Sequence, residues 1–148
     1  MSRARQVASE ATLDIGFLSG WWGGMNNQEV IMLDPVQQPG LIAHRKALEG
    51  AGIAISLVMR VPAPLKSLAD QVIRSASSVP ANLSEGHGRF GRDRLHHWRI
   101  AYGSAKEVDT HLRLLVGAGS IDSARAESAL GLFDEVRAIT WRLLHPAP

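Results

Sequence analysis

From residue 41 onward, apolar side chains recur at intervals of three and four residues, the spacing of one helical face. The pattern predicts four helices. The first covers roughly 41–58, with Leu41, Leu48, Ala51, Ile55 and Val58 on its inner face. Gly50 and Gly52 weaken it by up to ~1 kcal/mol each relative to alanine, so it leans on tertiary packing. Val61-Pro-Ala-Pro64 ends it, and the second helix begins at Pro64 or Leu65, where proline suits a first turn. Its seam is Leu65, Leu68, Val72, Ala76, Val79 and Leu83. Pro80 lies inside that run, where it removes one backbone bond at a cost of ~3 kcal/mol and predicts a bend. Gly86 and Gly88 are expected to close the helix through left-handed conformations.

The third helix runs from Gly91 or Arg92 to about Val116, with Leu95, Trp98, Tyr102, Ala105, Val108, Leu112 and Leu115 inward. Gly117-Ala-Gly-Ser120 is the turn, and the fourth helix spans about Asp122 to Leu144 with Ala129, Phe133, Val136, Ile139 and Leu143 inward. Four amphipathic helices on short connections make an all-α, antiparallel up-down four-helix bundle over residues 41–148. Residues 1–40 differ. Gly20-Trp-Trp-Gly-Gly24 and Pro35-Val-Gln-Gln-Pro-Gly40 are breaker clusters without a sustained period between them, so this stretch reads as a poorly structured extension. Two other readings stay open: a start at Met25 or Met32, or a Trp21-Trp22 patch that docks on a partner.

Composition adds three constraints. The chain has 148 residues and no cysteine, which suits a single domain and excludes disulfides and thiolate metal sites. The formal charge of +2 hides an uneven distribution, because the first forty residues are net acidic and the remainder net basic. Most of the basic residues are arginine, whose planar fork matches phosphate oxygens, although a coding bias would yield the same excess. No apolar run approaches the ~18–20 residues a membrane span needs, and the expected location is cytoplasmic.

Two polar constellations interrupt the helical repeats. On the third helix Arg92, Arg99, Lys106 and Arg113 recur every seven residues, a cationic ladder ~32 Å long on one helix edge. With Arg89 just ahead of it, such a ladder can follow a nucleic-acid backbone without reading sequence. A solvated flank or the edge of a subunit interface would look the same. The second constellation is Arg74, Asn82 and Glu85 on the second helix with Glu107 on the third. Buried ionic groups need partners, so an Arg74–Glu85 or Arg74–Glu107 bridge is expected to fix helix register around Pro80. Histidines supply a further reading. Arg92-Asp-Arg-Leu-His-His97 resembles the loose Arg–His signature of the helical HEPN ribonucleases, in which the pair would act on a ribose hydroxyl and the phosphorane; chance histidines at a solvated helix start are the alternative. His87, His96 and His97 lack carboxylates at metal-site spacing, so neither metal nor cofactor is expected.

Gln71, Arg74 and Ser78-Val-Pro-Ala-Asn-Leu-Ser-Glu-Gly-His-Gly-Arg89, followed by Ala101-Tyr-Gly-Ser-Ala-Lys-Glu107 and Leu112, carry a resemblance. The order and spacing of Pro80, Asn82, Glu85, Gly86, Arg89, Gly103, Ser104 and Glu107 are similar to a bacterial four-helix bundle family. That family includes proteins encoded within intervening sequences of 23S ribosomal RNA genes and the accessory variability proteins of diversity-generating retroelements. With the first and fourth helices the resemblance covers residues 41–145. It implies a ring-like homopentamer, a non-enzymatic role, and association with RNA or DNA through a basic surface; retroelement members also bind a reverse transcriptase. The chain departs from the family pattern in three places: glycines and His44 replace aromatics in the first helix, Gly91 stands at the third helix cap, and Tyr102 sits beside Gly103. The function expected is therefore an oligomeric nucleic-acid-binding accessory protein, with Arg89, Arg92, Arg99, Lys106 and Arg113 on phosphates. A purely structural oligomer, bridged between protomers by Asp134 and Glu135, and a HEPN-like ribonuclease are the alternatives.

Overall fold

The computed structural model describes residues 39–146, and the readings of the stretch ahead of residue 39 lie outside it. Helix α1 is Pro39–Val58; a 3-10 turn, Ala63–Leu65, leads into α2, Lys66–His87; α3 is Gly91–Gly117 and α4 is Ser123–Leu144. The side-chain ties give each neighbour's direction. Asn82 meets His97 and Ser78 meets Ser104 across α2 and α3, while Lys46 meets Glu135 and Ser56 meets Arg125 across α1 and α4. Rising numbers on one helix face falling numbers on the other, so these pairs are antiparallel. Packing of α1 on α2 and of α3 on α4 closes the four-helix bundle.

Residues at the expected spacing fill the centre: Val72, Val79 and Leu83 from α2, Val108, Leu112 and Leu115 from α3, and Phe133 and Val136 from α4 are all fully buried. Each such side chain contributes about 1.5–3 kcal/mol by leaving water. Helix α1 corrects the sequence reading. Ala51 and Val58 are buried as expected, but the rest of the buried face is Ala43, Ala47, Ala54 and Leu57, whereas Leu48 is exposed and Leu41 and Ile55 are half-buried. The alanines keep the helical period, and their small volume lets α4 come close: a Cβ on buried Gly50 would lie 3.3 Å from Leu132 and from the Phe133 ring. The expected face shares Ala51 and Val58 with the true one and is rotated from it toward Leu41, Leu48 and Ile55.

The ends of the helices follow local chemistry. Asp122 caps α4 by accepting the Arg125 N–H at 2.7 Å, a contact that contributes roughly 1 kcal/mol. Helix α3 has Phe90 at its cap and no side-chain cap bond. Gly91, expected to be the cap, instead takes φ +55°, a left-handed conformation that favours glycine. Helix α2 continues through buried Pro80 to His87.

His87 gives the fold a pH dependence. The imidazole lies half-buried beside Gly40 of α1, and burial, then Arg94, then His44, lower its pKa from the ordinary 6.5. A base whose folded pKa is depressed leaves the unfolded chain with more bound protons as pH falls below 6.5. This share of stability is therefore complete above that pH and is lost on acidification through the folded pKa. His87→Gln is expected to flatten the decline in melting temperature between about pH 7 and pH 5; an identical decline in wild type and variant would refute the assignment.

Candidate nucleic-acid interface

The site is built on the corner between α2 and α3. Gly86 lies in the last turn of α2, buried, and a Cβ there would fall 2.5 Å from Trp98 Cδ1 and 2.6 Å from Nε1. The glycine is required by the close approach of the Trp98 ring, not by a left-handed turn. Gly88 likewise has φ −79°, so neither glycine takes the conformation anticipated for it. Arg94 then covers the corner, with its guanidinium 5.2 Å from the Phe90 ring centroid and 5.5 Å from that of Trp98, while its Nε donates to the Arg89 carbonyl at 2.6 Å.

Arg89 joins the two helices. Its Nε donates to Glu85 at 2.9 Å and its Nη1 to Asp93 at 2.8 Å, and these bonds, with Glu85 first, raise its pKa above the ordinary value. The anticipated Arg74–Glu85 bridge does not form, because eleven residues along α2 separate the two by ~16 Å and Arg89 lies one turn from Glu85. Arg74 and Glu107 are both exposed, and among the described residues neither has an ion pair within 4 Å. Side-chain hydrogen bonds hold the register instead. Asn82 Nδ2 donates to the Ser78 carbonyl at 2.9 Å, leaving Oδ1 to accept from His97 Nδ1 at 3.0 Å, and Ser104 donates to Ser78 at 2.9 Å.

All four ladder residues are exposed along α3, but their electrostatic surroundings differ. Arg113 donates to Asp109 at 3.0 Å and 3.2 Å, and that carboxylate also lies 3.6 Å from Arg137. With Arg89 held between Glu85 and Asp93, the two ends of the cationic set are compensated. Among the described residues Arg92, Arg99 and Lys106 take part in no ion pair within 4 Å. These three span ~21 Å of one helix edge. Beside them lies an aromatic group that joins two helices, in which Tyr102, expected inward, is half-buried. Tyr102 of α3 is tilted against Trp141 of α4 at 5.8 Å between centroids, and Trp141 stacks on His145 at 3.8 Å. A tryptophan on the solvent side of Ile139 and Leu143 was the available signal.

Residues 41–142 match the family model described as 23S rRNA-intervening sequence protein. The chain belongs to that family. It is also similar to the crystal structure of a protein of unknown function, from the S23 ribosomal protein family, of Bacteroides thetaiotaomicron. Identity is 24%, the TM-score is 0.65, and the match covers 72% of this chain and 98% of that one, a likeness that shows the fold. No curated protein matches.

In this family member the Arg92–His97 pair does not converge. Five helical residues place the two about 140° apart around α3, with Arg92 exposed and His97 bonded to Asn82 in the seam. The acids considered as bridges between protomers are occupied inside the chain: Asp134 accepts from Arg137 at 2.7 Å, and Glu135 meets Lys46 at 2.7 Å. Among the described residues no three His, Asp or Glu side chains are grouped to hold a metal ion, and no helix is long and apolar enough to cross a membrane.

Proposed function

We propose that this member of the family is a non-enzymatic, cytoplasmic homo-oligomer that binds the backbone of RNA or DNA through the edge of α3. One observation carries the reading: Arg92, Arg99 and Lys106 form a cationic row, unpaired among the described residues, on one helix of a chain with pI ≈ 9.5. A carboxylate within salt-bridge distance would compete with phosphate, and these three have none among the described residues. Assembly, with a homopentameric ring as the form the family resemblance implies, draws support from the outer face of α3. There Ile100 and Leu114 are exposed, and Gly103 between them leaves open space beside the helix. These two exposed apolar side chains also favour the second reading, an oligomer with no nucleic-acid role.

The two separate in one pair of measurements. Sedimentation should give a mass several times that of the protomer. Affinity for RNAs of unrelated sequence should be equal and should fall steeply with salt, with a log–log slope of roughly −2 to −3 per engaged protomer for three neutralised phosphates. An oligomer without detectable RNA or DNA binding at low salt would leave the structural reading standing, and a monomer would remove both assemblies.

A further inference from the structure

We propose that Trp141, His145 and Tyr102 form a stacking platform for unpaired bases, so that the preferred ligand is single-stranded nucleic acid. The inference rests on the backbone-binding reading and narrows its substrate class. Trp141 occupies the last turn of α4 and is 51% exposed, whereas Trp98 in the core is 7% exposed. Its ring is held in place. The His145 ring lies over it at 3.8 Å with 28° between planes, and both the His145 backbone N–H and Nδ1 reach the Trp141 carbonyl at 3.0 Å. Tyr102 supports the indole from α3 at 5.8 Å.

The charges around this aromatic group match a nucleotide. Arg99 and Lys106 stand three residues before and four after Tyr102, the two spacings that bring helical side chains together. Both belong to the unpaired row, and Arg142, next to Trp141, is also exposed without an ion pair among the described residues. Aromatic planes beside a cationic track are the combination that holds single strands, because every base has a face to stack and every linkage a charge to neutralise. Bases inside a duplex are already stacked on both faces and cannot use the platform.

The test compares a twelve-nucleotide single-stranded RNA with the duplex of the same length, using the full chain. Trp141→Ala is expected to weaken single-strand binding about tenfold, to leave duplex binding and the salt slope unchanged, and to keep the melting temperature. Trp141→Phe should restore the single-strand affinity to within about threefold, since a stacking face returns. Equal affinity of wild type and Trp141→Ala for the single strand would overturn the platform while the duplex affinity leaves backbone binding intact. Failure of wild type to bind either probe would overturn both readings. A change in assembly mass in Trp141→Ala would reassign the patch to subunit contact. Tight, Trp141-dependent binding of an acidic peptide would reassign it to a protein partner.

Discussion

Replacing Arg92, Arg99 and Lys106 together by glutamate is expected to lower affinity for generic RNA about 10²–10³-fold at low salt. The estimate follows from counterion release. Each neutralised phosphate contributes roughly 0.7–0.9 to the log–log salt slope, so three contacts supply about three decades between 1 M and 50 mM salt. The slope itself should flatten by about 2–3. Stability should change little, because all three side chains are exposed. Arg113→Glu alone is the internal comparison. Asp109 already engages Arg113, so its reversal should cost less affinity than reversal of Arg99 alone. A triple variant that binds as tightly as wild type, with the same slope, would remove α3 from the interface.

Gly86→Ala is expected to destabilise the bundle despite replacing a helical glycine by the best helix former. Propensity favours alanine by up to ~1 kcal/mol. Against this, the new Cβ would press on Cδ1 and Nε1 of the Trp98 ring at 2.5–2.6 Å, with the Arg94 carbonyl oxygen 3.2 Å away. Trp98 is buried and cannot swing clear, so overpacking of about 1–3 kcal/mol or more prevails. Thermal unfolding should shift downward by several degrees. Gly52→Ala, whose Cβ would meet nothing within 4 Å, should instead raise stability by up to ~1 kcal/mol. Trp98→Ala, which removes the clashing ring, should abolish most of the further cost of Gly86→Ala and make the two changes non-additive. A Gly86→Ala protein as stable as wild type would show that the corner does not depend on this contact.

How much of this could be read before the structure depends on the kind of signal. Helix limits were legible because Val61-Pro-Ala-Pro64 and Gly117-Ala-Gly-Ser120 interrupt a strong apolar period. The face of α1 was legible only at Ala51 and Val58, since alanine and glycine carry the rest of the period without announcing it, and close packing rewards small volume over hydrophobicity. Heptad spacing located the cationic row but did not say which of its members would be compensated. The partners Glu85, Asp93 and Asp109 stand at four-residue spacing from Arg89 and Arg113, a local relation that outranks the longer reach from Arg74. The aromatic group of Tyr102, Trp141 and His145 joins two helices, and no periodicity along one of them reveals such a group. Gly86 was singled out correctly for the corner and assigned the wrong reason, because the ring that needs the space comes from another element.

The placement of the seams also has an entropic side. Asn82 and His97 are 15 residues apart, whereas Lys46 and Glu135, tied across α1 and α4, are separated by most of the bundle. Closing the longer loop costs about 1.6 kcal/mol more in chain entropy than closing the shorter one, for a roughly sixfold difference in length. The α2–α3 hairpin, with Arg89 spanning its bend, is thus a part of the fold that closes at low entropic cost. The cationic row belongs to that hairpin, and docking of α1 against α4 closes the longest loop of the domain.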